Sequence, residues 1–305
     1  MKLTALSLAC SLCLAIGSTA TAGSQGSLGA TDASITTRAT NETRQQIAFN
    51  AKKLRLRSKS ALVLDRNNRE IYSKNADEAR PIASITKLMT AIVVLDAGLS
   101  LDEPIKVTKD DRDLLRMTGS RLKVGATLPR GDMLRIALMA SENRAASALC
   151  RTYPGGTDAC VDAMNRRAGQ LGMTKTRFVD GTGLGAGNVS SARDLGRMVR
   201  AALGYPLIQE ATTTRSLHVR PWKNRGPLRY GNTNRLLKNE NWDIELSKTG
   251  YINEAGRCLV MRADGGDGPL TIVLLNSFGK LTPFGDSNRI RKWIGASYPP
   301  LADRG

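Results

Sequence analysis

The most constraining feature of this 305-residue chain is a run with no polar face. From Ile85 to Leu95 the side chains are apolar on nearly all sides of a helical wheel. A helix of that kind has no side to offer water, so it is predicted to lie buried in the middle of a domain. Pro81-Ile82-Ala83-Ser84 opens it and Gly98 stops it. Ser84 and Lys87, three residues apart, would share one face in apolar surroundings.

The flanking sequence sets what surrounds this helix. Ser60–Leu64 reads as a strand, 65–68 as a turn and Glu70–Tyr72 as a returning strand. Ile244–Thr249, Arg257–Arg262 and Leu270–Leu275 are three more strands, the last two joined by the Gly-rich turn 264–268. Helical patterns lie between, over 132–139, from 145 to 150, and from a Thr157/Asp158 cap to Leu171. Another starts at a Ser191-x-x-Asp194 capping box and ends near Gly204. Asp286-Ser287 caps a closing helix through Ile294. Strands at both ends with helices between them predict an α+β fold: one antiparallel β-sheet flanked by helices, plus a helical lobe. Hydrophobic residues make up 41% of the chain, enough for a real core. Aromatics are only 4%, so aliphatic side chains and Met must fill it.

The first 22 residues have the form of a secretory signal peptide: Lys2, an uncharged run from Leu3 to Ile16, and a small-x-small cleavage site at Ala20-Thr21-Ala22. Residues 23–50, rich in Gly, Ser, Thr and Ala, form a flexible lead-in. Residues 51–305 hold the folded domain. No later segment is apolar and long enough to span a bilayer, so the expectation is a periplasmic protein with no transmembrane anchor after cleavage. The formal net charge is +18, or +17 once Lys2 is removed. Such a protein suits an anionic partner. For an exported chain the carboxylate-rich cell wall is the better candidate, with no nucleic acid; solubility and general stickiness are the alternative reading of the charge.

Cys150, Cys160 and Cys258 remain after cleavage. An oxidising compartment permits a Cys150–Cys160 disulfide across the 153–156 turn, and three buried thiols are the alternative. The chain has one histidine, His218, in a polar stretch without a nucleophile beside it. A metal site is not expected, nor any cofactor. The loop 180–187 is Gly-rich but lacks the strand-to-helix context of a phosphate site, and reads as a wall loop.

Three short motifs carry the chemistry. Ser-x-x-Lys occurs at Ser84/Lys87, Ser120/Lys123 and Ser277/Lys280, where composition alone predicts about one. Ser-x-Asn occurs at Ser73/Asn75 and Ser141/Asn143. Lys248-Thr249-Gly250 occurs once, against a chance expectation on the order of 0.1. Only Ser84 heads a long apolar helix. A serine hydroxyl needs a base at neutral pH. A lysine becomes one when burial and a second cation lower its pKa. Lys87 on the buried helix, with Lys248 as the second cation, meets both conditions.

In this order, Ser84-Ile-Thr-Lys87, Ser141-Glu-Asn143 and Lys248-Thr-Gly250 resemble the penicillin-binding protein and serine β-lactamase superfamily. Pro81–Thr90, Met139–Ala146, Asp180–Leu184 and Ser191–Leu195 are similar to the low-molecular-mass DD-peptidases. Ser247–Met261 is most similar to their D-alanyl-D-alanine endopeptidase branch, the penicillin-binding protein 7 type. The likeness covers about residues 50 to 297.

The resemblance implies the serine β-lactamase/DD-peptidase fold and a set of roles. Ser84 attacks the D-alanyl carbonyl, Lys87 takes its proton and Ser141 relays a proton to the leaving amine. Asn143 binds the substrate amide, and Lys248 and Thr249 face the substrate carboxylate. Backbone N–H groups of Ser84 and Tyr251 form the oxyanion hole, and Gly250 lets the strand approach the ligand. The implied substrates are peptidoglycan stem peptides and their crosslinks, and β-lactams would acylate the same serine. A DD-carboxypeptidase is the alternative. The chain stops at Gly305, with no room for the C-terminal β-domain and anchor that many carboxypeptidases carry, which favours the endopeptidase. A β-lactamase is a further alternative, but no water-activating carboxylate is evident by motif. An inactive wall-binding protein of the same fold is the remaining one.

Overall fold

The computed structural model describes residues 54–264 and 268–297. All of them belong to one compact unit, residues 45–305. The expected leader 1–22 and lead-in 23–50, the middle of the 264–268 turn and the last eight residues lie outside the described residues.

Five strands form one antiparallel sheet: β1 (Ser60–Leu64), β2 (Glu70–Lys74), β3 (Asp243–Ile252), β4 (Gly256–Asp264) and β5 (Pro269–Ser277). Their order is β2-β1-β5-β4-β3, so the last strand in sequence is the central one. β1 pairs with β5 from Ser60↔Leu275 to Leu64↔Thr271. The strands read as nearly continuous apolar runs because both sheet faces are covered. Alternate residues point to opposite sides. Ala61, Val63, Met261, Ala263, Ile272 and Leu274 pack with Ile290, Trp293 and Ile294 on one side. Leu62, Val260, Val273 and Leu275 join the larger core on the other.

The helices are α1 (Lys87–Asp96), α2 (Arg130–Met139), α3 (Asn143–Arg151), α4 (Gly156–Gln170), α5 (Ala192–Ala202), α6 (Pro206–Thr213) and α7 (Thr282–Ser297). α7 covers the first sheet face and the others build the lobe on the second. α1 is the all-apolar run. Every residue from Lys87 to Val94 is buried, and the helix touches α2, α3, α4 and α5. Its Leu, Ile, Val and Met side chains each contribute about 1.5–3 kcal/mol by leaving water. Cys150 and Cys160 form a disulfide, Cα–Cα 5.3 Å, that ties α3 to α4.

Two expected caps work otherwise. Asp286 and Ser287 lie inside α7, which begins at Thr282. Asp286 is fully buried and accepts from the backbone N–H groups of Arg57 and Ser58 and from the Ser58 hydroxyl. It anchors the strand entering β1 to α7. At α5, Ser191 does accept from the Asp194 N–H at 3.1 Å. The Asp194 carboxylate does not return the bond; it accepts from Lys175 N and Thr176 Oγ1 instead. Helix α6 and the ribbon pairing Ser216–Val219 with Leu228–Gly231 were not expected from the sequence pattern. His218 sits exposed on that ribbon.

Candidate active site

Ser84 lies on a 3₁₀ turn, Ala83–Thr86, that runs directly into α1. Lys87 follows as the first residue of α1, with 1% of its surface exposed. Its Nζ lies 2.9 Å from Ser84 Oγ, 2.8 Å from Asn143 Oδ1 and 2.6 Å from the Thr182 carbonyl. The last two partners can only accept. A neutral amine gives them its two N–H bonds, and its lone pair then meets the serine hydroxyl. Burial lowers the Lys87 pKa to about 7, against the opposing pull of the Asp180, Glu142 and Asp113 carboxylates.

Ser141 and Asn143 come from the bend between α2 and α3, where Ser141 has a left-handed backbone, φ 58°. Glu142, between them, caps α3 by accepting from Arg144 N at 3.2 Å. It also accepts from Ser120 Oγ at 2.8 Å. This bend brings Asn143 to Lys87 and Ser141 to β3. There Lys248, 1% exposed, donates to Ser141 Oγ and to the Thr249 carbonyl, each at 2.9 Å. Burial, and then the charge of Lys87, hold the Lys248 pKa well below the ordinary lysine range.

β3 is an edge strand, so half of its backbone groups face away from β4. Gly250 permits it to reach the nucleophile: a Cβ there would lie 2.8 Å from the Ile82 carbonyl oxygen and 3.1 Å from Ser84 N. Tyr251 follows, 48% exposed. The cleft so formed encloses about 1060 Å³, and Ser84, Ser141, Asn143, Thr249, Gly250 and Tyr251 all line it. Every sequence-predicted site residue therefore gathers around this one cleft, with Lys87 and Lys248 buried beneath its floor. The other Ser-x-x-Lys and Ser-x-Asn copies do not join it as units.

Several contacts that hold the site together were not predicted from the sequence. The loop 180–187 lines the cleft through Leu184, as a wall loop would, and is also a strut. The Asp180 carboxylate accepts from the N–H groups of Thr182, Gly183 and Gly185 and from Asn188 Nδ2. That fold aims the Thr182 carbonyl at Lys87. Gly183 has φ 79°, and a Cβ on it would fall 2.0 Å from the Ala83 carbonyl oxygen. Gly181 packs on the disulfide, where a Cβ would come 2.4 Å from Cys150 Sγ. Thr118 Oγ1 accepts from Asn143 Nδ2 at 3.0 Å and donates to Asp113 at 2.6 Å. Thr249 Oγ1 donates to Thr233 Oγ1 at 2.6 Å. No cluster of His, Cys, Asp and Glu suited to a metal ion occurs among the described residues. No described helix is long and apolar enough to cross a membrane.

A hydroxyl beside a buried amine that is half neutral at pH 7 is equipped to attack an acyl carbon and hand over its proton. The second amine and second hydroxyl can return a proton to a leaving group.

Known proteins share this framework. The family described as D-alanyl-D-alanine carboxypeptidase (peptidase S11) matches residues 46–279. A D-alanyl-D-alanine endopeptidase of Pseudomonas aeruginosa is 49% identical over 240 residues, covering 78% of this chain and 77% of its own. One of Escherichia coli is 47% identical over 248 residues, covering 81% and 80%. Penicillin-binding protein D2 of Listeria monocytogenes, solved in its ampicillin-bound form, superposes with a TM-score of 0.67 at 30% identity. It covers 79% of this chain and 98% of that one. With the three motifs around one cleft and matches of this extent, the chain belongs to the D-alanyl-D-alanine carboxypeptidase family of serine peptidases.

Proposed function

We propose that this protein is a D-alanyl-D-alanine endopeptidase that hydrolyses peptide crosslinks in peptidoglycan through an ester on Ser84. The observation that carries the reading is the 2.9 Å approach of Lys87 Nζ to Ser84 Oγ, with the amine buried and its pKa near 7. Ser84 Oγ attacks the D-alanyl carbonyl as its proton passes to Lys87. The carbon–nitrogen bond then breaks, and the leaving amine takes a proton through Ser141, backed by Lys248. Water hydrolyses the ester and restores the hydroxyl. Backbone N–H groups of Ser84 and Tyr251 stabilise the oxyanion, a contribution of about 3–4 kcal/mol for one such donor in comparable sites. Asn143 holds the substrate amide. Lys248 and Thr249 hold the carboxylate beside the scissile bond, and Gly250 admits the substrate.

The names of the two relatives at nearly half identity support the endopeptidase over the carboxypeptidase. The ampicillin-bound Listeria protein supports β-lactams as inhibitors that acylate the same serine. The nearby carboxylates Glu142 and Asp180 are already bonded to protein groups. A penicilloyl ester would accordingly persist, unlike that of a β-lactamase. Lys2, the apolar run after it and Ala20-Thr21-Ala22 support a cleaved leader of residues 1–22. A lead-in over 23–50 and a catalytic domain over 51–305 follow from it, with action in the periplasm on wall rather than nucleic acid.

Labelling with a fluorescent penicillin tests the nucleophile: wild type takes the label and Ser84→Ala does not. Equal labelling of both refutes the mechanism. Mass spectrometry of products from a defined crosslinked dimer and from a pentapeptide monomer tests the substrate. Faster release of D-alanine from the monomer would make the protein a carboxypeptidase.

A further inference from the structure

The cleft is much larger than a terminal D-alanine requires. At about 1060 Å³ it lies at the upper end of the range that encloses a whole drug-sized ligand. Its wall beyond Thr249 is basic. Arg235, Lys238, Arg257 and Lys280 line it, and no Asp or Glu does among the described residues. Sheet register explains two of them. Tyr251 on β3 pairs with Arg257 on β4, and Arg257 pairs with Ser277 at the end of β5. Lys280 follows Ser277 by three residues, so both cations reach the same end of the sheet as Tyr251.

Arg235 and Lys238 ride on the short 3₁₀ turn Arg235–Lys238, held down by buried Leu236. That turn adjoins Thr233, which bonds Thr249. Arg235, Lys238 and Lys280 are exposed, and none has an ion-pair partner among the described residues. The Arg257 guanidinium stacks 3.7 Å from the centre of the Tyr251 ring. Stacking fixes its plane and leaves the N–H edges for an anion. Four cations with no acid among them make a focused positive potential beside the site.

We infer that this wall is a subsite for the leaving-group half of a crosslink, binding the carboxylates of the second stem peptide. The inference rests on the endopeptidase reading, in which the leaving amine belongs to a whole peptide. It also follows the assignment of Thr249 to the carboxylate beside the scissile bond, since the turn bearing Arg235 and Lys238 adjoins Thr233, which bonds Thr249. A free D-alanine leaving group has one carboxylate, already taken at Thr249, and gains nothing from the wall. A second stem has further carboxylates that reach it. The wall thus distinguishes a crosslink from a stem terminus by charge.

Binding is read in the Ser84→Ala background, where no turnover is needed. A crosslinked dimer, the same dimer amidated at every carboxylate except the one beside the scissile bond, and a pentapeptide monomer are titrated at low and at physiological salt. The dimer is expected to bind more tightly than the monomer, with the difference shrinking in salt. Replacing Arg235, Lys238 and Lys280 together by Gln is expected to weaken the dimer roughly tenfold and leave the monomer unchanged, as three exposed ion pairs would. Penicillin acylation of Ser84 in the otherwise wild-type triple variant, at the wild-type rate, establishes that the cleft is intact. The inference is overturned if the amidated dimer binds as tightly as the free acid, or if the triple variant leaves the dimer-to-monomer ratio unchanged. Turnover of the dimer by the protein with Ser84 intact is the separate test of the endopeptidase reading, so the two failures are distinguishable.

Discussion

The buried amine beside Ser84 sets the pH at which the nucleophile becomes active. With the Lys87 pKa at about 7, about a tenth of the molecules hold a neutral amine at pH 6 and about nine tenths at pH 8. The second-order rate of penicillin acylation reports the free protein. It is expected to rise roughly tenfold between those pH values and then level off. Rapid mixing with a fluorescent penicillin, quenched at intervals and read by gel or mass spectrometry, measures it. Asp113→Asn removes one of the three carboxylates that favour the charged amine, so the midpoint must move to lower pH. A profile flat from pH 6 to 8 would refute the assignment of Lys87 as base. So would one that keeps climbing toward the ordinary lysine pKa near 10.5, or a midpoint that moves upward in Asp113→Asn.

Four further outcomes follow from the same contacts. Because Lys87 titrates lower in the folded protein than in the unfolded chain, the unfolded state binds more protons between pH 7 and about 10. Stability to urea should therefore rise with pH across that window, and Lys87→Met should lose part of that slope. Gly183→Ala places a Cβ 2.0 Å from a backbone oxygen next to the nucleophile. It should cost about 3 kcal/mol or more in unfolding free energy, with acylation nearly abolished in whatever folds. Paired Cys150→Ser and Cys160→Ser open a short loop and should cost about 3 kcal/mol in a denaturant melt, matching the wild type in reductant. Glu142→Ala removes the α3 cap and the carboxylate that accepts from Ser120 Oγ. It should destabilise by about 1–3 kcal/mol and slow acylation by loosening Ser141 and Asn143.

Much of this was readable in the residues because the relevant rules are local. β1 was legible to the residue, since four apolar residues after Ser60, bounded by a turn, have few other outcomes. α1 followed from the absence of a polar face, and the Ser84–Lys87 contact from three-residue helical spacing. Other parts depend on partners distant in sequence. Nothing near Asp180 shows that its carboxylate folds the loop that points Thr182 at Lys87, 95 residues away. Thr118 and Thr233 are single hydroxyls outside any motif, and only the tertiary fold sets them on Asn143 and Thr249. Asp286 resembled a helix cap because Asp-Ser is a strong local signal, yet it bonds the backbone at Arg57 and Ser58, 229 and 228 positions earlier. The ribbon at Ser216–Val219 and Leu228–Gly231 is short and mostly solvated, which leaves little hydrophobic alternation to read.

The position of β5 bears on how the protein matures. As the final strand among the described residues and the sheet's midpoint, it joins what would otherwise be two separate hairpins, β2-β1 and β4-β3. The nucleophile is specified early in the polypeptide, while its proton-handling partner on β3 arrives more than 150 residues later. Contacts this remote in sequence form slowly. A growing or partly folded chain thus holds an inert serine, and reactivity toward penicillin appears only when the closing strand slots home. Acylation competence is in that sense a readout of completed folding.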